Sequence, residues 1–367
     1  MPKVVVAKIG SSSITDAGGD IDEKAIVKFC ADVAGLRAAG HRVVAVTSGA
    51  IAAGLPAIGL GGDRRPRDPV TLQAVSAVGQ SRLMRMYDRI LADHGLVSGQ
   101  VLLAPLDFVV RQQYLHARGT LNRLLDLGVV PVVNENDAIA DDEIRFGDND
   151  RLAALVAHLV GADLLVLLTD TAGLLTADPR IDASASLIED IVEFDHELER
   201  LAGPSGTVRG SGGMASKIAA AKIAAWSGVR AVIAAAHRED VLADAVAGVA
   251  GVGTVVAPRD RRLPARKLWI AFALGSSGTV VVDAGARSAL ERDGRSLLPA
   301  GIVAVHGTFL PDAAVEVADD AGTVFAKGIV RQSASALRAV AGRRTADLPN
   351  DAPHEAIHRA DLVLMPR

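Results

Sequence analysis

KVVVAKIGSSS, residues 3–13, is a run of valine and alanine that stops on Lys8, Gly10 and three serines. A strand with one face in water alternates polar with apolar residues; a strand buried on both faces does not. The same grammar recurs in HRVVAVT (41–47), GVVPVVN (128–134), ADLLVLLTD (162–170) and VRAVIAA (229–235). Between these runs lie stretches of helical spacing near 22–39, 71–94, 116–127, 149–160 and 213–227. Strands and helices that alternate in this way build a mostly parallel sheet with helices on both sides. The expected fold is therefore α/β, a three-layer α/β/α sandwich.

Polar residues close the strand-like runs. The first run ends on Lys8, Gly10 and the serines, the second on TSGA (47–50), the third on NEND (134–137), and the fourth on Thr169 and Asp170. Ligands of an open parallel sheet sit beyond the carboxyl ends of its strands. Four polar clusters on that edge describe one site.

The bulk properties agree with this architecture. A chain of 367 residues predicts two or three domains. Half of it is apolar but only 3% is aromatic, so the core is built from Ala, Val, Leu and Ile. The lone cysteine, Cys30, cannot form an internal disulfide and suits a reducing compartment. The opening MPKVVVAKIG has a short apolar run broken by Lys8, which does not read as a signal peptide. No stretch approaches the roughly 18 apolar residues of a membrane helix. A cytoplasmic protein with no membrane partner is expected.

Charge divides the chain near residue 259. From Arg259 onward there are 15 basic and 12 acidic residues, a net +3, which leaves −7 for residues 1–258. RDRRLPARKLW (259–269) reads as a connector. After it come short strand-like runs, TVVVDAG, GIVAVHG, AAVEVAD and TVFAKGIV, separated by Gly, Asp and Pro. Their spacing predicts a small β-rich module. The expected division is 1–258, a connector over 259–275, and 276–367.

Several residues can carry chemistry. Lys8 at a strand end either reaches past an edge strand to solvent or meets an anion, because burying it alone is costly. TSGAIAAG (47–54) places Ser48 at a strand-to-helix turn, where it either caps the helix or presents free amides to an anion. Between Asn134 and Asp150 stand seven carboxylates and three asparagines. That density fits a solvated acidic loop, or a site for an amino group, a metal-bound phosphate or a lysine. GSGGMASK (210–217) starts a helix with glycines and ends on Lys217, as a flexible loop or as a phosphate grip. It has neither P-loop nor dinucleotide-fold spacing. Zinc-ligand spacing and a nucleophile elbow are likewise missing. Two lysines, a glycine-rich helix start, carboxamides and aspartates instead suit phosphoryl transfer, which needs positioning and charge stabilisation.

KIGSSSIT, VTSGAIAAG, AVGQSRLM, VVPVVNENDAI, GDNDRLAALVA, LLTDTAGLLTADPR and SGGMASK occur in this order, and in that the chain resembles the glutamate 5-kinase family of the amino acid kinase superfamily. GRSLLPAGIVAVHGTF and the strands after it are similar to a PUA domain. The likeness runs from about Lys3 to beyond Asp361. It implies an amino acid kinase-like sandwich with a C-terminal PUA domain, and phosphorylation of the γ-carboxylate of L-glutamate by ATP with Mg²⁺ riding on the nucleotide. Lys8 and Lys217 are then catalytic, with Asp150 holding both. Lys8, Thr169, Asp170, Ser211, Gly212, Gly213, Met214, Ala215, Ser216 and Lys217 are the implied ATP site. Ser48, Asp137, Asp148 and Asn149 are the implied glutamate site. A homodimer or homotetramer, feedback inhibition by proline and handover of product to glutamyl phosphate reductase are also implied, while RNA binding by the PUA module is left open.

The sequence departs from the family pattern in places. Ser211 and Ser216 stand where threonine is frequent, DFVVRQQYLH (107–116) is less charged, and GLGGDRRPRDP (59–69) is idiosyncratic. The last two lie where substrate or proline contacts would be made. Competing readings are a kinase for another small acid or nucleotide, and an RNA-binding protein on a decayed kinase fold.

Overall fold

The computed structural model describes residues 1–16, 18–139, 149–177, 182, 184–191, 213–259, 262–347 and 354–365. They form two compact units, Met1–Arg262 and Leu263–Arg367.

The strands of the first unit are β1 (Val4–Ile9), β2 (Arg42–Val46), β3 (Ser98–Leu103), β4 (Val130–Glu135), β5 (Leu164–Thr169), β6 (Asp190–Ile191), β7 (Arg230–Ala235) and β8 (Thr254–Val256). They lie in the order β3-β4-β2-β1-β5-β7-β8-β6. Neighbours run parallel, apart from the antiparallel pair β7 and β8. The helices described are α1 (Ser11–Ile14), α2 (Glu23–Ala38), α3 (Ala50–Gly54), α4 (Pro69–Asp93), α5 (Leu106–Val109), α6 (Arg111–Asp126), α7 (Asn149–Val160), α8 (Met214–Trp226) and α9 (Val241–Ala247).

Alternation along β1 separates the two helical layers. Val5, Ala7 and Ile9 join a core with Ile26, Phe29 and Val33 of α2 and Leu83 and Tyr87 of α4. Val6 and Lys8 point to the opposite face, where α7 packs on β1 and β5, and α8 packs on α7 and β7. A helix with no polar face must be enclosed, and Leu152 through Ala157 of α7 are each at most 1% exposed.

The helices start where the chain supplies caps. The Asp22 carboxylate accepts from the Lys24 amide at the head of α2, and that of Asp68 accepts from the Thr71 amide at the head of α4, followed by Pro69 in the first turn. Two glycines let α3 and α4 touch backbone to backbone. A Cβ on Gly79 would stand 1.7 Å from the Ala50 carbonyl oxygen, and one on Gly54 would stand 2.2 Å from that of Val75. This crossing fixes the chain directly after Ser48.

The second unit is a sheet of β9 (Gly278–Val282), β10 (Ile302–Gly307), β11 (Ala314–Ala318), β12 (Val324–Val330) and β13 (Ile357–Leu364), ordered β10-β9-β11-β12-β13. Only β9 and β11 pair in parallel among these. Val280, Val315, Val317, Phe325 and Ile357 form its core, which α11 (Ala284–Asp293) reaches through Leu290 and α12 (Ala334–Val340) through Leu337. Within the stretch read as a connector, α10 (Ala265–Leu268) is helical, and Leu268, Trp269 and Ile270 are buried.

Four strands were not evident from apolar runs. β3 is half polar, β6 has two residues and β8 three, and β13 carries His358, Arg359 and Asp361 among its apolar positions. Helix α6 also begins before residue 116, because its first turn, RQQ, has no apolar periodicity. No helix among the described residues is long and apolar enough to cross a membrane.

Candidate active site

The site is assembled at the carboxyl ends of the central strands. Lys8, next to last in β1, pairs in register with Val46 of β2 and Leu167 of β5. Its side chain is buried, and its Nζ lies 2.5 Å from Asp150 Oδ1. Gly10 makes room for that ammonium group, since a Cβ there would come within 2.9 Å of Lys8 Nζ. Asp150, in the first turn of α7, is fully buried. Its other oxygen, Oδ2, lies 3.1 Å from Lys217 Nζ and accepts a 2.8 Å hydrogen bond from Ser216 Oγ, both in α8. One carboxylate thus binds two lysines from opposite ends of the first unit.

The electrostatics of this cluster are decided by its charges. Burial alone would push the Asp150 carboxyl up. The Lys8 and Lys217 ammonium groups, with hydrogen bonds from Lys8 and Ser216, outweigh burial and hold it below the usual carboxylate range. Among the described residues the contact network sets two positive charges, Lys8 and Lys217, against the one negative charge of Asp150, an arrangement that favours an anion.

Beside it lies a second, carboxamide cluster. Asn149 Nδ2 is 2.6 Å from the Thr47 carbonyl, 2.9 Å from Ser48 Oγ and 2.6 Å from Asn134 Oδ1. Asn134 Oδ1 also accepts from the Glu135 amide at 2.9 Å. Asn134 Nδ2 and Asn149 Oδ1 are buried and have no partner among the described residues. Buried polar groups are almost always satisfied, so these two atoms point to a polar ligand or to water. A cavity with about 10 Å³ open to the centre of a water molecule lies against Asn134, lined also by Thr47, Gln80, Tyr87 and Gln100. That is room for about one water.

Ser48 precedes Gly49, whose φ of +97° is left-handed and whose missing Cβ keeps clear of Ile14 Cδ1. Asp137, in the short 3-10 turn after β4, accepts a 2.7 Å hydrogen bond from Ser76 Oγ of α4. Thr169 and Asp170 leave β5, between β1 and β7, on the edge where Lys8 stands, and Thr169 Oγ1 donates to Asp170 Oδ1 at 3.0 Å. Gly213 precedes α8, and Met214, Ala215 and Ser216 form its first turn.

Lys8, Asp150, Ser216 and Lys217 are therefore one contact network, and Ser48 and Asn149 another. Asp148, Ser211 and Gly212 lie outside the described residues. Thr47 and Asn134 belong to the clusters TSGA and NEND read at the strand ends, whereas Ser76, Gln80 and Tyr87 were not singled out in the sequence. The available signal was polar residues at buried positions, since Ser76, Gln80 and Tyr87 lie on one face of α4.

Fold and site together define a class. The amino acid kinase family model matches residues 3–235 and the PUA domain model matches residues 278–350, and the chain belongs to the amino acid kinase family, with a PUA domain after the kinase part. Among curated relatives, a glutamate 5-kinase of Burkholderia mallei is 45% identical over 99% of this chain and 98% of its own length. A glutamate 5-kinase of Citrifermentans bemidjiense is 46% identical with the same coverage. Isopentenyl phosphate kinase of T. acidophilum shares the fold with a TM-score of 0.50 at 21% identity, over 69% of this chain and 99% of that one. Carbamate kinase of Giardia lamblia does so with a TM-score of 0.50 at 18% identity, over 70% and 99%.

Proposed function

We infer that this chain is a glutamate 5-kinase, which transfers the γ-phosphoryl group of Mg-ATP to the γ-carboxylate of L-glutamate. The product is L-glutamyl 5-phosphate, which opens proline synthesis. The observation that carries the reading is the buried Lys8–Asp150–Lys217 bridge at the carboxyl edge of the sheet, in a chain 45% identical to a glutamate 5-kinase over 99% of its length.

The chemistry asks little covalent help of the protein. A glutamate side-chain carboxylate is ionised at neutral pH, so it attacks phosphorus without a general base while the bond to ADP breaks. The obstacle is repulsion between the carboxylate and the triphosphate. Lys8 and Lys217 offset it from two sides, and Asp150 keeps both aimed. Mg²⁺ arrives on the nucleotide and neutralises further phosphate charge. Thr169, Asp170 and the glycine-rich stretch from Ser211 to Lys217 hold ATP. Ser48, Asp137, Asp148 and Asn149 hold glutamate, with Asp137 taking the α-ammonium and the amides around Ser48 to Ala50 taking the α-carboxylate.

The reading also carries a cytoplasmic homo-oligomer, a dimer or tetramer, that is inhibited by proline and passes its product to glutamyl phosphate reductase. Supplying ATP, Mg²⁺, hydroxylamine and L-glutamate tests the activity, because the acyl phosphate is trapped as a hydroxamate. Proline added to the same assay tests the inhibition.

A further inference from the structure

We propose that Ser76 is a positioning residue for amino-acid specificity: its hydroxyl locks Asp137 in the orientation that receives the substrate's α-ammonium group. The proposal rests on the reading of Asp137 as the partner of that ammonium group.

Ser76 sits in the middle of α4 and is 1% exposed. A serine inside a helix usually turns its hydroxyl back to a carbonyl of its own preceding turn. Here it donates across to Asp137 Oδ2 at 2.7 Å, on a different element. Asp137 stands on the three-residue turn Asp137–Ile139 and is partly buried. A hydrogen bond to a charged acceptor is among the stronger ones, and it restricts the carboxylate in direction.

The rigidity behind Ser76 extends to the other half of the amino-acid site. Three residues further along α4, Gly79 meets the Ala50 carbonyl, and Gly54 meets that of Val75. Helix α4 is thereby fixed against the segment that begins at Ser48. The ammonium and carboxylate of an α-amino acid share one carbon, so their receivers must keep one separation. Helix α4 sets it, because the crossing at Val75 and Gly79 brackets Ser76.

The test is Ser76→Ala in the full-length chain, assayed with Mg-ATP. Alanine is the best helix former, so the variant keeps its fold. The expected result is a KM for L-glutamate raised about fivefold to tenfold, from loss of one hydrogen bond to a charged group. The expected kcat and KM for ATP stay within about twofold of the parent. The inhibition constant of glutarate, which lacks the amino group, stays unchanged. An unchanged glutamate KM, or an equal weakening of glutarate, overturns the proposal. Failure of the parent protein to form any hydroxamate from glutamate overturns the underlying activity instead, which is a separate outcome.

Discussion

Lys8, at the end of the first strand, and Asp150, in the first turn of a helix more than a hundred residues later, are in direct contact at 2.5 Å with both side chains buried. Neither is stable there alone. A lone buried ammonium or carboxylate costs several kcal/mol, a cost that pairing and hydrogen bonds offset. The pair therefore ties the strand edge to α7, and Lys217 extends the tie to α8.

Asp150→Asn removes the buried carboxylate that Lys8 and Lys217 share. Breaking a buried pair from one side costs about 3 kcal/mol or more, so the variant unfolds at lower denaturant. Its turnover falls about a hundredfold or more, as when a transition-state charge partner is misplaced. Urea titration and the hydroxamate assay report the two effects separately.

Lys217→Ala removes the second positive charge while Lys8 still pairs with Asp150. Turnover falls about 10²- to 10³-fold, the scale of one lost transition-state partner. The KM for glutamate stays nearly the same, because Asn149, Ser48 and Asp137 are untouched. Steady-state kinetics with glutamate varied at saturating ATP checks the split.

Gly10→Ala disturbs the same pair from the backbone side. The new Cβ would come within 2.9 Å of Lys8 Nζ, at the far end of a flexible side chain. The lysine moves aside and its buried pair with Asp150 loosens, so turnover and the unfolding midpoint both drop. Parallel measurement of kcat and Tm shows it.

The fold was legible wherever burial wrote itself into composition. The runs that became β1, β2, β4, β5 and β7 lack polar alternation because both faces are covered, and the polar residues closing the first four mark the sheet edge that holds the site. β3 and β13 escaped notice because their side chains divide between core and solvent. At the site, Lys8 stood out as a charge closing an apolar run, Lys217 as the charge ending a glycine-rich helix start, and Asp150 took its place from the resemblance carried by GDNDRLAALVA. The hydrogen bond from Ser76 to Asp137, and that from Asn149 to Asn134, depend on how helices cross the sheet. No local pattern in the chain encodes that crossing.

Acid sensitivity follows from His158 in α7. Burial, with the nearby charges of Arg118 and Arg262, pushes its imidazole down from 6.5 to about 4. The unfolded chain binds this proton near pH 6.5 and the folded protein does not. Folding stability is therefore lost progressively as pH falls from about 6.5 towards 4, and the loss levels off below that. His158→Gln removes this part of the pH dependence. Denaturation at pH 7 and pH 5 gives a smaller difference for the variant than for the parent.

Acyl phosphate trapping tests the assigned reaction at its root. Purified protein is given Mg-ATP, hydroxylamine and one acid at a time: L-glutamate, N-acetyl-L-glutamate, L-aspartate or carbamate. The expected result is ADP release with formation of γ-glutamyl hydroxamate from L-glutamate, lost in Lys217→Ala. A protein that gives no product from glutamate but turns over another of these acceptors would contradict the assignment.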